Sequence, residues 1–178
     1  MRFISITAVL ASVLLVAGCC TQNGQNTALT QDQKESTQTF PVTVDYGRSI
    51  EEMVASGKYD WSNSDITSKH FPIGTKGQVG VNIELVHFNR PMESDEVLRE
   101  LDKQGLRPAT LPELLAFGAT YPEKQREFPI VALGSVWRDL DGIRHVACLY
   151  GNAGDRGLDL RWYENGWVVS CRFAAVRK

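Results

Sequence analysis

Residues 158–176 read LDLRWYENGWVVSCRFAAV and hold the strongest turn signal of the chain, the pair Asn165-Gly166. Such a pair between two alternating segments is typical of a type I′ β-hairpin. We therefore predict a hairpin of strands 158–164 and 167–176, with Glu164 opposite Trp167. Its buried face would carry Leu158, Leu160, Trp162, Val169, Cys171 and Phe173, and its exposed face Asp159, Arg161, Tyr163, Val168, Ser170 and Arg172.

Further strand patterns precede this hairpin, at residues 130–133, 135–138 and 143–150. The last two meet at the turn signal Asp141-Gly142. Residues 151–157 are rich in glycine but lack the Lys-Ser/Thr pair of a phosphate-binding loop. We therefore expect them to form a plain connector between strands.

Helix signals lie in the first two thirds of the sequence. Capping boxes at residues 49–52 and 110–113 each predict the beginning of a helix, and residues 94–105 predict another. Alternating apolar residues predict a strand over residues 79–89. Short helices kept apart from a mainly antiparallel sheet indicate an α+β fold with two or three helices.

The N-terminal residues have the pattern of an export signal. Arg2 precedes an apolar run that is too short to span a membrane comfortably. The segment Leu15-Val16-Ala17-Gly18-Cys19 resembles the bacterial lipobox, whose cysteine is diacylated before the signal is removed. Residues 1–18 are thus expected to be a lipoprotein signal peptide and Cys19 the lipidated residue. The alternative is ordinary cleavage near Ala17, with Cys19 and Cys20 as free thiols.

Residues 19–39 are expected to form a flexible tether, because they contain almost no large apolar side chain that could be buried. Residues 40–178 then form a single globular domain of ordinary size. The predicted location is the bacterial cell envelope, where the lipid on Cys19 would hold the exported protein on a membrane. The formal net charge of −2 argues against nucleic acid as a partner.

Residues with catalytic or metal-binding chemistry are sparse. His70, His87 and His145 lie outside any metal-ligand spacing, and no serine has the setting of a catalytic nucleophile. We therefore predict no metal, no cofactor and no enzymatic activity. Cys148 and Cys171 lie in predicted strands and form either a disulfide or two buried thiols, with a redox-active pair as the weaker alternative.

Aromatic and polar residues cluster around the predicted hairpin turn. Recognition surfaces favour such residues because they combine a large rigid contact area with adaptable hydrogen bonding. The sequence therefore predicts a ligand-binding surface made of Asp159, Arg161, Tyr163, Glu164, Asn165, Trp167, Val168 and Ser170.

Two segments carry a resemblance to a known family. Residues 105–115, GLRPATLPELL, resemble a helix-opening segment of bacterial C-type lectin-like domains of the formylglycine-generating-enzyme type. The C-terminal residues from Leu158 resemble the last strands of the variable proteins of diversity-generating retroelements. The resemblance covers roughly residues 101–178 and implies a displayed receptor with a diversified surface. The diversified positions would be Asp159, Arg161, Tyr163, Glu164, Asn165, Val168 and Ser170.

The sequence differs from that family in chemistry. Formylglycine-generating enzymes use a closely spaced cysteine pair, whereas Cys148 and Cys171 lie 23 residues apart. The Trp-Asn-Asp calcium motif of sugar-binding lectins is absent. The resemblance therefore implies a binding module for an extracellular or periplasmic protein or glycan. The alternatives are an envelope thiol protein or enzyme that uses the two cysteines, and a structural lipoprotein without a specific ligand.

Overall fold

The computed structural model describes residues 38–178, which form an α+β domain. The strands are β1 (Thr39–Asp45), β2 (Trp61–Ser62), β3 (Gln78–Val86), β4 (Leu106–Pro108), β5 (Ile130–Arg138), β6 (Arg144–Gly151), β7 (Arg156–Trp162) and β8 (Arg172–Arg177). The helices are α1 (Ile50–Gly57), α2 (Ser94–Lys103), α3 (Leu111–Thr120) and α4 (Lys124–Glu127). The predicted signal peptide, Cys19 and nearly all of the predicted tether lie outside the described residues.

One sheet joins all eight strands, in the order β1-β3-β8-β5-β6-β7-β2, with β4 paired to β8. The pairs β2–β7 and β5–β8 are parallel, and the others are antiparallel. The α+β class and the mainly antiparallel sheet are thus confirmed. The domain has four helices where two or three were predicted, because the single turn of α4 left no periodic signal in the sequence.

The two predicted capping boxes are present. Ser49 accepts from the backbone N–H of Glu52, whose carboxylate accepts from the N–H of Ser49, and α1 begins there. Thr110 and Glu113 form the second box at the beginning of α3. After α2, Gly105 has φ +70°, the left-handed conformation predicted for the residue that follows a helix.

The predicted hairpin register is wrong, because β7 and β8 do not pair. β7 lies between β6 and β2, whereas β8 lies between β3 and β5. A turn does form at Asn165, whose N–H donates to the carbonyl of Trp162 at 3.3 Å. After that turn, Trp167 exchanges two backbone hydrogen bonds with Met92, at 2.7 and 3.1 Å. The chain therefore pairs with the segment before α2 instead of returning along β7.

The different pairing also corrects the predicted faces. Trp162 was expected inside and is 51% exposed, whereas Tyr163 was expected outside and is 4% exposed. Val169, another predicted core residue, is 48% exposed. The period of two breaks at Trp162 because β7 ends there. The other four predicted core residues are buried, namely Leu158, Leu160, Cys171 and Phe173.

The two strand patterns at 130–133 and 135–138 belong to a single strand, β5, with a register shift between Ala132 and Val136. Gly134 lies in this irregular part, and its N–H donates to the carbonyl oxygen of Ala109 at 2.9 Å. A Cβ at this position would lie 2.5 Å from that oxygen. The shift therefore lets β5 approach the turn before α3 closely, and glycine is the residue that fits.

The core has a part on each face of the sheet. Apolar residues of α1 and α3, such as Ile50 and Phe117, pack with Ile130 and Leu149. Residues of α2 pack with a second group that includes Val131 and Val146. Because neighbours along a strand point to opposite faces, β5 contributes Ile130 to one part and Val131 to the other. No helix of residues 38–178 has the length and apolar composition needed to cross a membrane.

Candidate functional site

The predicted ligand-binding residues do not form one surface. Tyr163 and Trp167 are buried, at 4% and 6% exposure, and Asp159 is half-buried. The remaining residues are exposed, namely Arg161, Glu164, Asn165, Val168 and Ser170. The prediction that these residues are exposed is therefore wrong for the two aromatic residues of the set, Tyr163 and Trp167.

Tyr163 and Trp167 hold the C-terminal segment against the beginning of α2. Trp167 Nε1 donates to Ser94 Oγ at 2.8 Å, and Ser94 Oγ donates to the carbonyl of Tyr163 at 2.6 Å. The Tyr163 hydroxyl donates to Asp95 at 2.6 Å. Burial, with the neighbouring Asp95 carboxylate, raises the pKa of Tyr163 to about 12. Ser94 and Asp95 are distant in sequence, and their hydrogen bonds keep the side chains of Tyr163 and Trp167 buried.

The exposed part of this region is centred on Trp162. It lines a shallow hollow of about 350 Å³ together with Asp141, Gly142, Ile143 and Glu164. The Glu164 carboxylate accepts from Arg144 Nε at 2.6 Å. The hollow thus offers one aromatic face and a paired charge, but little enclosure.

Cys148 and Cys171 are buried free thiols. Cys148 lies on β6 and Cys171 immediately precedes β8, with β5 between these two strands. Strands two places apart are about 9.6 Å apart, which is wider than the Cα separation that a disulfide bridges. Burial raises the pKa of the Cys148 thiol to about 12 and also raises that of Cys171. Neither thiol is therefore activated as a nucleophile.

A more enclosed site is a cleft of about 580 Å³ where Tyr46, just after β1, the β4–α3 turn and the irregular part of β5 meet the loop after His70. It is lined by Tyr46, His70, Phe71, Pro72, Ile73, Gly74, Thr75, Arg107, Pro108, Thr110, Pro112, Glu113, Gly134, Ser135 and Val136. We call it the Arg107 cleft. Its volume lies in the range typical of small-molecule sites.

An ion pair forms one part of this cleft. The guanidinium of Arg107 donates twice to the carboxylate of Glu113, at 2.6 and 2.9 Å. The Glu113 side chain is 1% exposed and that of Arg107 is 39% exposed. Burial alone would raise the pKa of Glu113, but the hydrogen bonds from Arg107 and from the Thr110 N–H hold it below its usual value. Glu113 is therefore an ionised carboxylate that water barely reaches.

The beginning of α3 also lies at the cleft, and its amide groups are already used. The Leu111 N–H donates to Ser135 Oγ at 2.9 Å, and Pro112 has no N–H. The Glu113 N–H faces the Thr110 side chain in the capping box, and the Leu114 N–H donates to the Thr110 carbonyl at 3.0 Å. At three of the first four helical positions, Leu111, Pro112 and Leu114, no amide donor is therefore left for an anion.

Two polar atoms in the cleft have hydrogen-bonding capacity left. His70 Nδ1 lies 2.8 Å from the Asp65 carbonyl oxygen, which can only accept. Nδ1 therefore carries a proton, and in the neutral ring Nε2 is left as an acceptor. Ser135 Oγ accepts from Leu111, so its own proton is available for donation. The His70 ring is fixed by stacking on Trp137, with centroids 4.4 Å apart.

Tyr46 adds a third polar group. Its hydroxyl is 3.5 Å from the Glu113 carboxylate, which is longer than an ordinary O–H···O hydrogen bond. Burial and the nearby Glu113 carboxylate raise its pKa, so the hydroxyl keeps its proton. Apolar atoms of Pro72, Ile73 and Val136 lie among the lining groups. The cleft therefore combines polar groups with apolar walls.

Sequence reasoning identified part of this cleft for a different reason. Thr110 and Glu113 were predicted as helix-capping residues, and that role is confirmed. The partners Tyr46 and His70 come from distant parts of the chain, and no local pattern connects them with residues 107–113. Arg107 lies close in sequence, but a capping box gives no indication that its glutamate also binds an arginine.

Among residues 38–178, no group of three or more His, Cys, Asp or Glu side chains could hold a metal ion. No protein-family model matches the chain, and no curated protein or solved structure is significantly similar to it. The chemistry of the exposed and uncommitted groups is therefore the basis for the proposals that follow.

Proposed function

We propose that this chain is a lipoprotein of the bacterial cell envelope whose domain binds a small ligand in the Arg107 cleft. The observation that carries the proposal is a cleft of about 580 Å³ in which Ser135 and the neutral His70 ring have hydrogen-bonding capacity left and the Tyr46 hydroxyl is held only by a 3.5 Å bond to Glu113. Stacking on Trp137 holds the His70 ring and the hydrogen bond from Leu111 holds Ser135, and such rigidity lowers the entropic cost of binding. The proposed function is binding, without a catalytic step.

The proposed anchor and the finer fold assignment rest on resemblances in sequence. The segment that ends in Cys19 resembles a lipobox, which supports attachment to a membrane through lipid. Residues 105–115 resemble a segment of C-type lectin-like domains, and they include the beginning of α3. We propose a C-type lectin-like relationship for the C-terminal part of the domain on this basis.

A second candidate is recognition of an extracellular protein or glycan by the surface around Trp162. The observation that favours it is the 51% exposure of a tryptophan beside the exposed residues Arg161, Glu164 and Asn165. Exposed aromatic side chains among polar groups are typical of recognition surfaces. This candidate keeps part of the surface predicted from the sequence, with Trp162 in place of Tyr163 and Trp167.

Two matched valine variants distinguish the candidates. Val136 lines the cleft and Val168 lies in the C-terminal segment, and their exposures are 43% and 61%. We expect Val136→Glu to weaken binding of the cleft ligand at least tenfold, or about 1.4 kcal/mol, because it places a charge on an apolar wall. Val168→Glu should leave the affinity unchanged.

The measurement is saturation-transfer NMR of the full chain in detergent micelles with a library of small polar compounds. A hit that is lost in Val136→Glu and kept in Val168→Glu assigns the ligand to the cleft. A hit that is kept in Val136→Glu and lost in Trp162→Ala assigns it to the surface around Trp162. A library without any hit contradicts both candidate binding functions and favours a structural lipoprotein.

The adjacent cysteines provide a matched test of the anchor. We expect Cys19→Ser to abolish incorporation of radiolabelled palmitate and to release the protein from the membrane fraction. Cys20→Ser should behave like the unchanged protein, because only the first cysteine has the lipobox position. Equal labelling of the Cys19→Ser variant and the unchanged protein would contradict the proposed anchor.

A further inference from the structure

The charges that line the Arg107 cleft limit what it can bind. Its ionisable lining groups are His70, whose Nδ1 lies 3.7 Å from the Asp65 carboxylate, the pair Arg107 and Glu113, and the hydroxyl of Tyr46. The guanidinium and the carboxylate neutralise each other through two hydrogen bonds, and the raised pKa of Tyr46 keeps that hydroxyl uncharged. A charged ligand would lose its hydration without meeting an unpaired opposite charge.

The N-terminus of α3 does not provide an anion-binding site either. An N-terminus binds phosphate or carboxylate through free amide groups, but here Ser135 Oγ and the Thr110 carbonyl already accept from the Leu111 and Leu114 amides, and Pro112 has no N–H. An ammonium group is equally disfavoured, since Glu113 is 1% exposed and both of its oxygens already bind Arg107. An uncharged ligand is therefore favoured over both ions.

The uncommitted polar groups include both donors and acceptors. Ser135 has a hydroxyl proton to donate, the Tyr46 hydroxyl is engaged only by a long bond of 3.5 Å to Glu113, and Nε2 of the neutral His70 ring can accept. A ligand hydroxyl both donates and accepts, so it can satisfy either kind of group without a change of protonation. A molecule with several hydroxyls thus fits the cleft better than one with amines or carboxylates.

The apolar walls add a second requirement. Pro72, Ile73, Pro108, Pro112 and Val136 contribute to the lining on the sides of the cleft. A ligand with C–H groups beside its hydroxyls would bury them against these side chains and gain hydrophobic contact. Sugars and cyclic polyols have this amphipathic arrangement.

We propose that the Arg107 cleft binds a small uncharged polyhydroxy compound, a sugar or a cyclic polyol, through Tyr46, His70 and Ser135. This inference rests on the proposed function of the cleft and adds the class of ligand. Because the ligand carries no charge, its affinity should not change between about 0.01 and 1 M salt.

The first test compares hexoses that differ only in charge. The probes are glucose, galactose, mannose and N-acetylglucosamine, with glucosamine and glucuronate as the cationic and anionic counterparts. We expect at least one neutral probe to bind the full chain in detergent micelles with a Kd below about 10 mM, and the charged counterparts to bind at least tenfold more weakly. Saturation-transfer NMR measures both.

A matched tyrosine pair tests the location. Tyr46→Phe removes the cleft hydroxyl, so we expect it to weaken the neutral sugar roughly threefold to tenfold. Tyr121→Phe removes a hydroxyl that donates to the Pro41 carbonyl at 2.9 Å outside the cleft, and it should not change the affinity. Both variants keep their rings, so the fold is retained in each. Equal effects of the two variants would overturn the assignment to this cleft.

The outcomes separate this inference from the proposed function. Equal or tighter binding of glucosamine or glucuronate overturns the inference. Failure of every neutral probe to bind up to about 10 mM also overturns it. In either case, a different compound whose binding is lost in Val136→Glu would leave the cleft as the binding site. If no neutral probe binds and no other compound loses its binding in Val136→Glu, both the ligand class and the proposed function of the cleft are contradicted.

Discussion

Replacement of Arg156 by methionine is expected to lower the free energy of unfolding by about 3–5 kcal/mol. The Arg156 side chain is buried, and its guanidinium donates to the carbonyls of Gly57 at 2.9 Å and Gly118 at 2.8 Å. It also donates to Gln125 Oε1 at 3.1 Å. Methionine would leave these three acceptors without a donor at a place that water does not reach. Each unsatisfied buried group costs about 1–3 kcal/mol.

Helix ends compensate the charge of this buried arginine. Gly57 is the last residue of α1, and Gly118 lies in the last turn of α3. The carbonyl groups at a helix C-terminus carry partial negative charge, so both helices stabilise a cation there. The Tyr59 ring adds a cation–π contact at 5.2 Å. Arg156 therefore joins α1, α3 and β7 through a single side chain.

Arg161 is the matched control, because it lies on the same strand and is exposed. Among residues 38–178 it forms one ion pair, a 3.4 Å contact with Asp159, so Arg161→Met should change stability very little. Urea unfolding of the full chain, followed by circular dichroism, measures both variants. Arg156→Lys should fall between them, since one ammonium cannot reach all three acceptors. Equal unfolding midpoints for Arg156→Met and Arg161→Met would contradict the role assigned to the network.

The parts of the fold that were predictable are those determined by neighbours in sequence. The capping boxes at Ser49 and Thr110 need only residues three positions apart, and both helices begin as predicted. The strand near residue 80 follows from a period of two, although Glu84, on the polar side of that alternation, is buried and pairs with Arg177 at 2.8 Å. A local pattern does not show which buried charges find a partner.

The C-terminal pairing was not predictable because long-range contacts decide it. The turn at Asn165 forms, but Met92 and Ser94 provide backbone and side-chain partners for Trp167. These contacts join residues more than 70 positions apart, so the turn signal could not report them. Tertiary packing thereby overrides a local preference of about 1 kcal/mol.

The candidate site was missed for a related reason. Each local pattern around residue 110 indicated a helix N-terminus and nothing more. The cleft appears only when Tyr46 and His70 approach that helix end from two other segments. The surface predicted instead, at the C-terminal residues, relied on a register that placed Trp162 inside and Tyr163 outside. The structure has the reverse arrangement.

Replacement of Arg107 by methionine is the second large effect and should lower the free energy of unfolding at neutral pH by about 3 kcal/mol. The variant leaves the 1% exposed carboxylate of Glu113 without its partner. Breaking a buried pair by removing one member is costly because an uncompensated charge remains inside. The effect is expected to lie near the low end of the usual range, since Arg107 itself is 39% exposed.

The pH dependence identifies Glu113 as the source of this loss. In the unchanged protein the pKa of Glu113 lies below its usual value of 4.5, so its contribution is present above that pH and is lost as the pH falls through the lowered pKa. Without Arg107, burial raises the pKa instead, and Glu113 becomes neutral in mild acid. The difference in stability between Arg107→Met and the unchanged protein should therefore shrink from about pH 7 to about pH 4.

Two further variants complete this test. Arg90→Met removes an exposed arginine that pairs with Glu96 at 2.7 Å, and it should leave the unfolding midpoint unchanged at both pH values. In the double variant Arg107→Met/Glu113→Gln, the buried charge is absent, so most of the lost stability at neutral pH should return. A loss in Arg107→Met that persists in the double variant and does not depend on pH would mean that packing of the Arg107 side chain, rather than its charge, stabilises the cleft.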